Sequence, residues 1–368
     1  MNHQFVWAVK SQLVRQSAKK LSELAQSEDL FDVSSLDKNS YEYKQTQKSF
    51  EEARKIGCHI ITYIDSDYPE KLKNISQPPP VLYVLGNKKL LSKTVFAGMV
   101  GARRCDDYGI RTAENIAMEI GQTGAGIISG GAIGVDAASH RGALRAKAPT
   151  VAVLGSGIDV AYPPENHTLF SQIIKNNGAL VSEFHFGEAP NAKNFPRRNR
   201  IIAALSSALI VVRAARKSGS LITATQAMDM SVPVFSVPGN IDNKLSIGTN
   251  ELILDGAVPL LNAMDVVDEL IAKNPDFFVR EKSEQEAEDF NLQTAWEKET
   301  ENEKIFYEGL SEYETEIVNI ISGGADTISL IEEKISFEPS RLTALLQMME
   351  IKGIIKKGIT KKYVLNIK

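Results

Sequence analysis

Cysteine is scarce in this chain, with Cys58 and Cys105 the 2 examples in 368 residues. Their separation excludes a close-spaced metal pair, and two cysteines cannot build a disulfide framework. Both are expected to be reduced thiols of a cytoplasmic protein. Long apolar runs are also missing, so no membrane span is expected. The opening MNHQFVWAVKSQLVRQSAKK lacks both the continuous apolar stretch and the small-residue cleavage site of a signal peptide. No glycine loop leads into Gly-Lys-Ser/Thr. No clean G-x-G-x-x-G follows the first strand with an acid about twenty residues on. Ordinary ATP and dinucleotide chemistry is therefore disfavoured, and the cysteines lack metal spacing, so no metal is expected.

One absence is local. From Ala189 to Met228 there is no Asp or Glu, although acids outnumber Lys and Arg 46 to 42 in the whole chain. The same stretch holds Lys193, Arg197, Arg198, Arg200, Arg213, Arg216 and Lys217. The net charge of −4 hides this concentration.

Four regions separate by texture. Residues 1–56 are polar with helical patterning and read as a small N-terminal helical module. Residues 57–275 alternate short β-branched runs (HIITYI, VLYVLG, TVFAGMV, GIISG, TVAVLG, ALIVVRA) with amphipathic segments. Continuous apolar strands between helices indicate a parallel sheet covered on both faces. The fold class is therefore α/β, with an extended Rossmann-like sheet. Residues 276–307 form an acidic linker. Residues 308–368 suggest three short helices and two apolar runs around Lys357-Gly358, a winged-helix-like domain. Its third helix carries Arg341, and either duplex reading or protein packing would suit it.

Three glycine-rich turns follow strands of the large domain. They are Gly101-Ala102-Arg103, the turn with Gly130, Gly131 and Gly134, and the turn with Gly155 and Gly157. Loops at the carboxyl ends of parallel strands converge on one crevice. Glycine admits close backbone approach, and helix N-termini favour anions. The converging turns thus point to a phosphate site. The basic residues fall in the same set of loops: Lys193 to Arg200 before the helix RIIAALSS, Arg213 to Lys217 after ALIVV, and Arg103. That is the footprint of a polyphosphate ligand. Phe195 stands within the basic loop, placed either to stack a base or to plug the start of a helix. Arg198 and Arg200 have a second reading, as structural arginines that fix loops through backbone carbonyls.

The runs GARRCDDYG, SGGAIGVDAASHRGAL, TVAVLGSGIDVAYPPENHTLF, NFPRRNRIIAALS, SGSLITATQA and FSVPGNIDNKLSIGTNELILDGA resemble the DNA-processing protein A family (DprA/Smf). The resemblance spans roughly residues 57–260. It implies a dimeric, non-enzymatic protein that needs no cofactor, binds single-stranded DNA and protects it. It also implies loading of the RecA recombinase during natural transformation. Arg103, Phe195, Arg198, Asn199 and Arg200 match its binding motifs, and Gly130, Gly131, Gly134, Gly155 and Gly157 would border the pocket. Ala192 stands where some relatives place a lysine, with Lys193 one step later.

The rival is an enzyme. The fold also resembles lysine-decarboxylase-like phosphoribohydrolases, which carry P-G-G-x-G-T-x-x-E. The corresponding stretch here begins Ser218-Gly219-Ser220 and ends at Gln226. The phosphate-cradling turn is kept, while an amide replaces the carboxylate that would act as general base. Asp136, Asp159 and Glu183 remain at strand ends, where capping roles are expected. His140, one turn into a helix, is expected to be packed.

Overall fold

A computed structural model of the chain describes residues 3–14, 17–34, 36–279, 310–325, 327–335, 339–357 and 362–366. The chain forms two compact units, Met1–Lys282 and Ser283–Lys368. Most of the acidic segment lies outside the described residues.

The first unit is built on a 9-stranded sheet. In chain order its strands are β1 (His59–Thr62), β2 (Val81–Gly86), β3 (Phe96–Val100), β4 (Gly126–Ser129), β5 (Thr150–Val153), β6 (Ala179–Ser182), β7 (Ser206–Val211), β8 (Val234–Ser236) and β9 (Val258–Pro259). Their spatial order is β1-β2-β6-β5-β4-β3-β7-β8-β9. From β6 through to β9 all neighbours pair parallel, and β2 joins β6 antiparallel, with β1 antiparallel to β2. The chain leaves β3 outward through β4, β5 and β6, then returns to place β7 on the other side of β3. The topological switch therefore lies between β3 and β7, where a ligand crevice is expected.

Period-2 burial explains the apolar runs. Along β7, Ala208 and Ile210 join the core on one face, while Leu209 and Val211 join the core on the other. Phe96 and Val100 of β3 are likewise divided from Ala97 and Met99. Both faces are covered, so neither set of side chains can be polar.

The helices before residue 57 share a core with this sheet. Trp7, Phe5, Leu21 and Phe50 pack with Val81, Tyr83, Ala152 and Leu180. The Trp7 indole donates to the Pro80 carbonyl at 2.8 Å and stacks on Tyr63. A segment this polar has too few apolar side chains for a core of its own, so it is completed against the sheet.

The second unit has helices Glu312–Ser322, Ile328–Glu332 and Pro339–Ile351, then an antiparallel pair Ile355–Lys357 and Tyr363–Leu365. Ile317, Val318, Ile331, Leu342, Leu346 and Ile355 fill its core. Ser311 and Glu314 form a reciprocal capping box at the first helix. The Arg341 guanidinium lies 5.2 Å from the Tyr313 ring centre. Gly358 is outside the described residues.

Candidate functional site

The basic stretch is helical from its start. Residues 193–200 are expected from sequence to be a loop, yet the helix Asn194–Leu205 takes in the whole arginine cluster. This changes where each arginine goes. At 3.6 residues per turn, positions 195, 198, 199 and 202 share one face, and 197, 200 and 204 lie on others. Phe195, Arg198, Asn199 and Ile202 line a cleft of about 770 Å³. Arg200 and Ala204 line a different cavity.

The cleft sits at the carboxyl ends of the parallel strands. The loop after β3 supplies Gly101 and Arg103, and the β4 turn supplies Ala132 and Asp136. The segment after β7 supplies Ser218, Gly219 and Ser220. Arg103 is exposed, and its guanidinium carbon stands 4.4 Å from the Phe195 ring centre. Tyr162 flanks the same ring, with centroids 6.0 Å apart. Together they make an aromatic platform beside a cation. Across the cleft, Ser218 caps the helix Gly219–Asp229, its hydroxyl accepting from the Ser220 amide. That helix presents its positive N-terminal end to the cleft. Asn199 donates to the Gly219 carbonyl at 3.5 Å, tying the two walls together.

Arg198 reaches the cleft wall but is turned inward and is only 4 % exposed. Its Nη1 donates to the Gly130 carbonyl at 2.5 Å and to the Val153 carbonyl. Its Nε donates to Asn199 at 3.1 Å. Burial lowers the guanidinium to about 10, which leaves it cationic at neutral pH. Burial also pushes the Asp136 carboxyl upward, against the pull of Arg198.

Arg200 is bound from all sides. Its Nη1 and Nη2 grip Glu183 at 2.5 and 2.8 Å, and its Nε donates to the Gln77 carbonyl at 2.8 Å. Arg197 reaches the same Glu183 at 3.0 Å. Arg213, read as a cleft residue from sequence, is likewise buried. It grips Asp106 at 3.2 and 3.0 Å, donates to Ser246 at 2.5 Å and lies over Tyr108. These arginines pin loops to one another.

The glycines serve the same scaffold. A Cβ on Gly130 would meet Arg198 Nη2 at 2.5 Å and Asp136 at 2.6 Å. On Gly155 it would meet the Phe195 ring at 2.7 Å, and on Gly157 the His185 carbonyl at 2.5 Å. Gly131 and Gly134 hold positive φ values of 68° and 81°. These turns admit the protein's own side chains closely. Gly219 differs, since a Cβ there would meet nothing within 4 Å. Lys193 is exposed at the head of the Asn194–Leu205 helix, where its amide donates to Asn191.

Sequence reasoning missed Tyr162. Its signal is an aromatic residue ahead of two prolines, following the third glycine turn. The residues suspected of catalysis are engaged elsewhere. Gln226 donates weakly to the Pro196 carbonyl at 3.5 Å. His140 is fully buried, with its Nδ1 2.7 Å from Thr150 Oγ1. Thr150 gives its own proton to the Ile127 carbonyl, so His140 Nδ1 must carry the hydrogen. Asp159 caps the Gly187 amide. Among the described residues no group of three or more His, Cys, Asp or Glu side chains is placed to hold a metal. No described helix is long and apolar enough to cross a membrane.

Comparison with known proteins gives one consistent answer. Residues 59–271 match the family described as DNA recombination-mediator protein A. The Smf protein of Synechocystis sp. is 41% identical over 215 residues, which is 58% of this chain and 54% of that protein. The chain thus matches about half the length of that relative. The DNA processing protein DprA of Bacillus subtilis is 38% identical over 224 residues, 61% of this chain and 75% of its own. The X-ray structure of DprA from Streptococcus pneumoniae superposes with a TM-score of 0.60 and 32% identity, over 73% of this chain and 98% of that one. DprA from Helicobacter pylori, whose structure was determined for its single-stranded DNA binding mode, gives 0.53 at 32% identity over 59% and 96% of the two chains. The family model matches more than half of the chain, and the chain belongs to the DNA recombination-mediator protein A family.

Proposed function

We propose that the protein binds single-stranded DNA in the cleft between β3 and β7 and acts as a recombination mediator. The observation that carries this reading is the exposed Arg103 stacked on Phe195 beside Tyr162, facing the helix N-terminus at Ser218–Ser220. A cation and an N-terminal dipole suit phosphates, and an aromatic ring at the cleft wall can stack on any base. Such a site is tolerant of sequence. Duplex DNA hides its base faces and is expected to bind more weakly.

The hydrolase reading has less support. Of the cleft residues, Asp136 alone is a carboxylate, and it is buried against Arg198. Glycoside hydrolysis ordinarily uses a pair of carboxylates. Burial also raises the thiols of Cys58 to about 12 and Cys105 to about 11, so neither is a nucleophile at neutral pH. The protein is accordingly read as non-enzymatic.

Family membership supports two finer proposals, that the protein works as a homodimer and that it loads RecA. Leu254 and Leu261, which flank the edge strand β9, are 86% and 81% exposed and suit a pairing surface. The element order of the second unit supports a winged-helix-like domain.

The deciding experiment is fluorescence anisotropy with labelled oligo-dT and an equal-length duplex across a salt series. Tight, salt-dependent binding of the single strand, weakened by Arg103→Ala and Phe195→Ala, is expected. Equal binding of duplex, or indifference to both substitutions, would remove the cleft from consideration.

A further inference from the structure

A second cavity, of about 750 Å³, lies at the opposite end of the sheet. It opens beside Ser206 and Ser207 at the start of β7, and beside Ser231 and Val232 ahead of β8. It shares no wall residue with the cleft.

Its charged wall is mostly cationic, with Lys71, Arg200 and Lys273 against Asp229. Arg200 is neutralised by Glu183, and Lys273 pairs with Glu269 at 3.3 Å. Lys71 differs, because no ion pair to it occurs among the described residues. Its amine donates to the Ser207 hydroxyl at 2.9 Å. Lys71 is exposed as a residue, yet desolvation of its amine by nearby protein atoms, and then the neighbouring charge of Lys273, hold that amine below the usual lysine range. An anion between the two lysines would offset their mutual repulsion.

Other parts of the wall are apolar, from Ile75, Ala204, Met230 and Val232.

We propose that this cavity binds a small phosphate monoester of mononucleotide size. The phosphate sits on Lys71 and Lys273. The planar body lies against Ile75, Met230 and Val232. The volume falls within the range of small-molecule sites. Polymeric DNA in the cleft is a separate occupant of a separate surface.

The test is calorimetric titration of the full chain with thymidine monophosphate, thymidine, inorganic phosphate and oligo-dT. Thymidine monophosphate is expected to bind, with thymidine at least about tenfold weaker. The pair Lys71→Met and Lys273→Met should weaken thymidine monophosphate at least about tenfold. The same pair should leave thermal stability and oligo-dT affinity unchanged. Arg103→Ala should leave thymidine monophosphate untouched. Lys71→Met alone serves if the double variant unfolds. Three results would overturn the proposal: no heat at millimolar nucleotide, nucleotide binding lost with Arg103→Ala, or binding indifferent to the lysines. Loss of oligo-dT binding with the lysine pair would also overturn it, because the cavity would then belong to the DNA path.

Discussion

The rim and the floor of the cleft are built from the same residue type and do opposite things. On the rim, Arg103 is exposed and rests on an aromatic ring. In the floor and behind it, Arg198, Arg200 and Arg213 are 4 to 6 % exposed and spend their donors on carbonyls and carboxylates. A cluster of basic residues in sequence is therefore not a cluster of charges offered to a ligand. Arginine suits both tasks, because its planar fork of five donors can tie several loops at once. What separates the tasks is whether protein acceptors already surround the guanidinium.

The contrast is broken most forcefully from below. Arg200→Ala leaves the Glu183 carboxylate, with its side chain 1% exposed, without its buried partner. A loss of about 3–5 kcal/mol is expected, seen as a large drop in melting temperature by calorimetry. Arg198→Ala should also destabilise the fold, since it strips donors from the Gly130 and Val153 carbonyls. A fall in DNA binding by either variant counts only after folding is checked. If both variants melt like the parent, the division between floor and rim is wrong.

Acid should loosen the same floor. Burial, with Arg198 nearby, lowers His140 to about 3 from its ordinary 6.5. Between those values the unfolded chain holds a proton that the folded chain refuses. This contribution to stability is complete above about pH 6.5 and declines as the pH falls toward 3, by about 5 kcal/mol in all. Asp136 works in the opposite sense, because its carboxyl is raised. Urea midpoints measured against pH check the point. His140→Asn should flatten the acid limb, while an unchanged limb would assign it to other groups.

Gly155→Ala tests where rim and floor meet. The new methyl would press on the Phe195 ring. About 1–2 kcal/mol of stability should be lost, and the stacking platform should shift. Oligo-dT affinity is expected to fall more than melting temperature suggests. Equal affinity would show that Phe195 does not stack a base.

Arg103→Ala should have the smallest effect on the fold and a clear effect on binding. Melting should stay as in the parent. The dependence of log affinity on log salt should flatten by about one phosphate contact. A steep slope retained in this variant would place the phosphates elsewhere.

Much of this architecture is legible in the sequence. The alternation of β-branched runs and amphipathic segments marks a sheet covered on both faces, because burial on both faces leaves β3 wholly apolar and confines polar residues in β5 and β7 to their first positions, Thr150, Ser206 and Ser207. Two of the three glycine turns, at 101–103 and 130–136, and the acid-free stretch supply residues to the cleft wall, the latter from a helix where a loop is expected. Gln226 in place of a carboxylate is visible without coordinates. The polar N-terminal segment is less legible, since the core that completes it belongs to strands far along the chain.

What the residues alone determined was the α/β class, the strand-end crevice and the set of groups able to reach it. Tertiary structure alone decided which of those groups remain free. Arg198 and Arg200 are two positions apart, and a helix turns about 200° over two residues, so they enter different cavities. Glu183, Gly130 and Val153 then claim them, and those partners lie on other strands and loops. Hydrogen-bond satisfaction is a property of the assembled neighbourhood, which sequence spacing does not encode.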